Sequence, residues 1–143
     1  MNYFVEGLQG SGKCTMVRKI AENKQGYTAL REGDYSPVEL AWCSYVDERL
    51  YREILEKYPD IRSLIEEKTV AEDDRRIICY TQIITDIPGF HKDLEQYEIY
   101  NGRTSCEEFT DTILRRYKKW NGDKMIFECS LFQNIVEDMI LFR

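Results

Sequence analysis

The sequence predicts a three-layer α/β fold in which a parallel sheet carries a phosphate-binding loop. Three observations support this. First, Gly7-Leu8-Gln9-Gly10-Ser11-Gly12-Lys13-Cys14-Thr15 fits G-x-x-x-x-G-K-[ST] at every fixed position but the last, where Cys14 replaces Ser or Thr. Second, residues 2–6 read as a short aromatic and β-branched strand and residues 16–23 as a helix, the context in which the motif has its phosphate-binding meaning. Third, residues 124–130 form an apolar run ending in an acid, Glu128, like a Walker B strand.

Taken in order, the first helix ends at Gly26, a residue suited to the left-handed position after a helix. Residues 27–30 read as a second strand, and Arg31-Glu32-Gly33-Asp34-Tyr35 as a polar loop at its carboxyl end, where ligands bind in open α/β sheets. Ser36-Pro37-Val38-Glu39 has the form of a capping box, so a helix is expected over 36–58, ending before Pro59. Trp42 and Tyr45 suit either core or substrate pocket, with the core favoured. Further helices are expected over 60–67, 71–85 and 90–98, although Ile77-Ile78-Cys79-Tyr80 also fits a strand. Ser105 with Glu108 three residues on starts a helix that ends near Trp120. A last helix is expected over 131–142. The whole reads as one domain, 1–143, with a helical insertion over 36–120 that serves as a possible acceptor or lid region.

The motif implies specific chemistry. Glycines let backbone N–H groups converge on one anion, the following helix offers its positive end, and Lys13 reaches the β- and γ-phosphates. The candidate phosphate-binding residues are therefore Gly7, Gly10, Ser11, Gly12, Lys13, Cys14 and Thr15. A plain Gly-rich turn would not need three glycines followed directly by lysine. The thiol of Cys14 is a poor ligand for Mg²⁺, so nucleotide binding is a firmer expectation than catalysis.

The bulk numbers narrow the classes. The chain has 143 residues, 43% hydrophobic and 32% charged, which suits a folded soluble protein. A formal net charge of −6 argues against a nucleic-acid surface. Five cysteines without C-x-x-C spacing suggest a reducing compartment and neither zinc nor a disulfide framework. No apolar run approaches a membrane span, and the N-terminus begins a strand, so a cytoplasmic protein is expected. His91 is the single histidine and has no evident triad partners. Arg115-Arg116-Tyr117-Lys118-Lys119 reads as a solvated helix face, and Asp73-Asp74-Arg75-Arg76 as surface charge at a helix start.

The segments 7–15, 31–37 and 127–134 together resemble bacterial ATP-binding proteins of the P-loop kinase-like superfamily, which includes nucleotide and small-molecule kinases. The resemblance implies a parallel sheet of order 2-3-1-4-5, with this chain supplying strands 1–3 and ending short of strands 4 and 5 and of the arginine-bearing lid. It implies ATP and Mg²⁺ as cofactors, Lys13 and Asp34 as catalytic residues, Glu32 as second candidate after Asp34, and Glu128 holding Mg²⁺ through water. The expected activity is phosphoryl transfer to an unknown small-molecule acceptor; the alternative is a nucleotide-binding module or ATPase without transfer. With strand 4 missing, strand 1 would be a sheet edge open to self-association, and the chain would be marginally stable and without measurable turnover.

Overall fold

The computed structural model describes residues 1–8 and 10–141. The elements in order are β1 (Tyr3–Val5), α1 (Lys13–Asn23), β2 (Thr28–Leu30), β3 (Ser44–Asp47), α2 (Glu48–Lys57), α3 (Arg62–Glu67), β4 (Thr69–Glu72), β5 (Arg75–Ile78), α4 (Phe90–Glu95), α5 (Cys106–Lys119), β6 (Met125–Glu128) and α6 (Leu131–Leu141). They form two separate three-stranded sheets, a parallel one of order β1-β6-β2 and an antiparallel one of order β3-β5-β4. Among the described residues no helix is long and apolar enough to cross a membrane.

In the parallel sheet β6 is central. Tyr3 to Val5 pair with Ile126 to Glu128 on one side, and Thr28 to Leu30 pair with Met125 to Phe127 on the other. Both neighbours reach β6 through long connections, as parallel pairing requires. Ile126 and Phe127 are buried, and the Phe4 ring stacks on Phe127 at 4.9 Å. Val17 anchors α1 with no exposed surface.

The expected fold is corrected by the second sheet. A single parallel core of order 2-3-1-4-5 with an all-helical insertion does not form; the stretch between β2 and β6 carries three antiparallel strands. Two expected helices give way to strands. Over 36–58 the cap does form, since Ser36 Oγ accepts from Glu39 N at 3.1 Å, yet no helix follows it. The carbonyls of Ser36 and Val38, which a helix would offer to the amides four residues on, accept instead from the Arg116 guanidinium. The chain turns through Trp42 in a left-handed conformation, φ 62°, and enters β3. Only then does α2 start, with Asp47 Oδ1 accepting from Leu50 N at 2.8 Å.

In place of the expected helix over 71–85 the chain forms a β-hairpin, β4 to β5, turning at Asp73 and Asp74 with Asp73 at φ 51°, and the alternative strand over 77–80 is realised in part, since β5 includes Ile77 and Ile78. Its central strand explains the misreading. Ile77 and Ile78 face opposite sides of the sheet and both have zero exposure. Ile78 joins Val46, Ile54, Leu55, Phe90 and Leu94 on one side, while Ile77 joins Leu40, Cys43, Phe109 and Ile113 on the other. A strand covered on both faces loses the alternation that identifies strands, and a short apolar run then fits helix equally well.

The expectation of a solvated face over residues 115–119 also needs correction, at Arg116 and at Tyr117, which packs against the apolar cluster around Ile77 and donates its hydroxyl to Glu39. Arg116 is 2% exposed and pairs with Glu72 across the domain, whereas Arg115 stays exposed and reaches Tyr45 Oη at 3.2 Å. The α5 start is as expected, with Ser105 Oγ accepting from Glu108 N at 3.1 Å. For the last helix, position 142 lies outside the described residues.

Candidate functional site

The site is built where β1, β6 and β2 end. The turn after β1 runs through Gly7, with Gly10 at φ 77° and Gly12 at φ 88°, conformations that favour glycine. A Cβ on Gly7 would lie 2.8 Å from Ser11 Oγ, so the loop closes on itself tightly there. Ser11 N donates to Leu8 O at 3.1 Å. Gln9 lies outside the described residues. Lys13 is the first residue of α1, and its side chain folds back beneath the loop. Its Nζ donates to the Gly7 and Leu8 carbonyls at 3.0 and 3.2 Å, and the residue is 8% exposed.

The start of α1 is open. Gly12 as the preceding residue offers no side-chain cap, and the first turn has no acidic residue. Among the described residues no side chain caps these amide donors, and the positive helix end faces out of the loop. Gly10, Ser11, Gly12, Cys14 and Thr15 are exposed along this surface.

Beside the loop lies a cavity of about 760 Å³, walled by Gly7 and Leu8, by the loop after β2, by the end of β6 and the start of α6, and by residues of the antiparallel unit. Asp34 and Glu128 both line it. Asp34 is held at both oxygens, accepting from Arg31 N at 2.7 Å and from Gln82 Nε2 at 2.6 Å. Gly33, at φ 84°, sets this turn; a Cβ there would meet Thr81 Oγ1 at 2.7 Å. Burial, then the neighbouring Glu32 charge, pushes the Glu128 carboxyl above its usual range, with Lys13 and Arg31 opposing. Glu32 itself sits 2.7 Å from Cys129 Sγ, and burial followed by that hydrogen bond pushes the Cys129 thiol up to about 12. The structure thus brings Asp34, Glu32 and Glu128 to one cavity beside Lys13.

Mg²⁺ finds no ready-made cage. Among the described residues no three His, Cys, Asp or Glu side chains cluster to hold a metal. Cys14 presents an exposed thiol where a hydroxyl would suit a hard cation.

Compared with protein-family models, curated proteins and solved structures, the chain matches none.

Several cavity residues escaped the sequence reading. Glu6 follows β1, and its carboxylate accepts from Ser130 Oγ at 2.7 Å and from the Gln133 amide at 3.4 Å, tying the loop to the start of α6. Glu39 has the sequence position of a capping-box acid, but its carboxylate accepts from Tyr100 and Tyr117 hydroxyls. Glu98, 9% exposed, accepts from Tyr80. Trp42, favoured for the core, is 47% exposed on the cavity wall, while Tyr45 packs against the apolar cluster around Ile77. These partners lie 18 to 127 residues apart in sequence, and no local spacing signals them.

Proposed function

We propose that this chain binds ATP on the loop from Gly7 to Thr15 and passes the terminal phosphoryl group to a small acceptor in the adjoining cavity. One observation carries this reading: a glycine loop with a buried lysine folded beneath it contributes Gly7 and Leu8 to the wall of a cavity that holds a positioned carboxylate, Asp34. Lys13 would leave the loop carbonyls to meet the β- and γ-phosphates, offsetting charge as the phosphoryl group moves. The acceptor oxygen would attack the γ-phosphorus, the bond to the ADP oxygen would break, and Asp34 would receive the acceptor proton. Gln82 holds Asp34 toward this task. Glu128 would lie close to the phosphates, and Mg²⁺ would arrive with the nucleotide, which suits an ion that keeps most of its water and phosphate ligands.

Isothermal titration with MgATP tests the binding. The expected result is saturable binding that falls at least tenfold in Lys13→Ala; equal affinity in both proteins would overturn the reading. The second reading is nucleotide binding without transfer, and Cys14 at the hydroxyl position favours it. Acceptor-dependent ADP release, lost in Asp34→Asn while MgATP affinity is kept, separates the two.

A further inference from the structure

We propose that Cys43 and Cys79 form an oxidisable dithiol, a modification site independent of nucleotide binding. The two sulfurs lie 3.6 Å apart in the apolar cluster on the Ile77 side of the antiparallel sheet. Topology puts them there. Ser44 pairs with Ile78 across β3 and β5, so Cys43, one residue earlier, and Cys79, one residue later, face each other just beyond the ladder. Both backbones are pinned, Cys43 N donating to Leu40 O at 3.1 Å and Cys79 N to Lys68 O at 2.9 Å. Directly opposed side chains are the neighbours that an antiparallel pair brings closest, and sulfurs 3.6 Å apart need only a short approach to bond.

The pair is chemically asymmetric. The Cys43 thiol donates its hydrogen to the Cys79 sulfur, which lowers the Cys79 pKa from its usual value and raises that of Cys43. Cys79 is the nucleophile and Cys43 the resolving thiol. With exposures of 4% and 1%, the pair admits only a water-sized oxidant, and hydrogen peroxide is of that class. The Cys79 sulfur attacks one peroxide oxygen, the O–O bond breaks, and water leaves with a sulfenic acid at Cys79. The Cys43 sulfur then attacks that sulfur, forming the S–S bond and releasing a second water. Two thiols and one peroxide give one disulfide and two waters.

The bond would staple a wall of the cavity. Trp42 precedes Cys43, and its carbonyl accepts from Thr81 Oγ1 at 3.3 Å. Gln82, which holds Asp34, donates its amide to Cys79 O at 3.1 Å. The device therefore acts on the segments that carry Trp42 and Gln82.

The test is peptide mapping of the folded wild-type chain after hydrogen peroxide, with free thiols alkylated under non-reducing denaturation. The expected result is a linked Cys43–Cys79 peptide that dithiothreitol reverses, with a melting temperature raised by about 5–10 °C. In Cys43→Ser treated with peroxide while folded, a dimedone adduct should appear on Cys79 when dimedone is added under denaturing conditions after the peroxide is removed. Oxidation of Cys14 or Cys106 without the linked peptide would overturn the proposal. So would a link that forms only in unfolded chain, or one that leaves the melting temperature unchanged.

Discussion

Replacing Glu98 by glutamine should make the protein more stable above neutral pH and flatten its pH–stability curve. Glu98 lines the cavity at 9% exposure, and burial raises its carboxyl from 4.5 to about 7 despite the Tyr80 hydroxyl, which opposes the shift. In the unfolded chain it titrates near 4.5, so between 4.5 and about 7 the folded state holds a proton that the unfolded state has lost. This group's contribution is therefore fully present below pH 4.5 and is lost as pH rises toward about 7. The rise from 4.5 to about 7 corresponds to about 3 kcal/mol at most, and partial access to cavity water reduces it to about 1–3 kcal/mol. Glutamine keeps an oxygen for the Tyr80 hydroxyl and removes the ionisation. Urea unfolding from pH 4.5 to 8 checks this, with the wild type losing stability through the interval and Glu98→Gln losing less. A wild-type curve that rises from pH 5 to 7 in step with the variant would refute the reasoning.

The remaining predictions concern the loop, the buried arginine and the sheet edge. Arg116→Met should destabilise by about 3 kcal/mol in urea titration, because Glu72 and the Ser36 and Val38 carbonyls lose a buried donor. Cys14→Ser should increase the gain in nucleotide affinity that Mg²⁺ brings, measured by titration with and without the ion, since a hydroxyl suits a hard cation better than a thiol. Light scattering should show concentration-dependent self-association, because β1 is an outer strand of the parallel sheet and Phe4 on it is 45% exposed.

Much of the N-terminal half of the candidate site was legible in the sequence. Glycine spacing, the lysine, and the strand and helix around them are local features, and local geometry follows from local residue type. The Ser105 cap and the apolar run of β6 were legible for the same reason. The antiparallel sheet was not. Ile77 and Ile78 are both buried because helices cover both faces of β5, and coverage on two sides erases the period of two. Ser36 capped its turn as its type demands, but Arg116, 80 residues away, took the carbonyls that would have continued the helix. The cavity acids Glu6, Glu39 and Glu98 likewise acquire their partners only when distant segments meet. The sequence by itself determined the elements whose hydrogen bonds close within a few residues. Tertiary structure decided the rest, because a backbone carbonyl or a carboxylate goes to whichever donor packing brings to it, and that donor has no fixed distance along the chain.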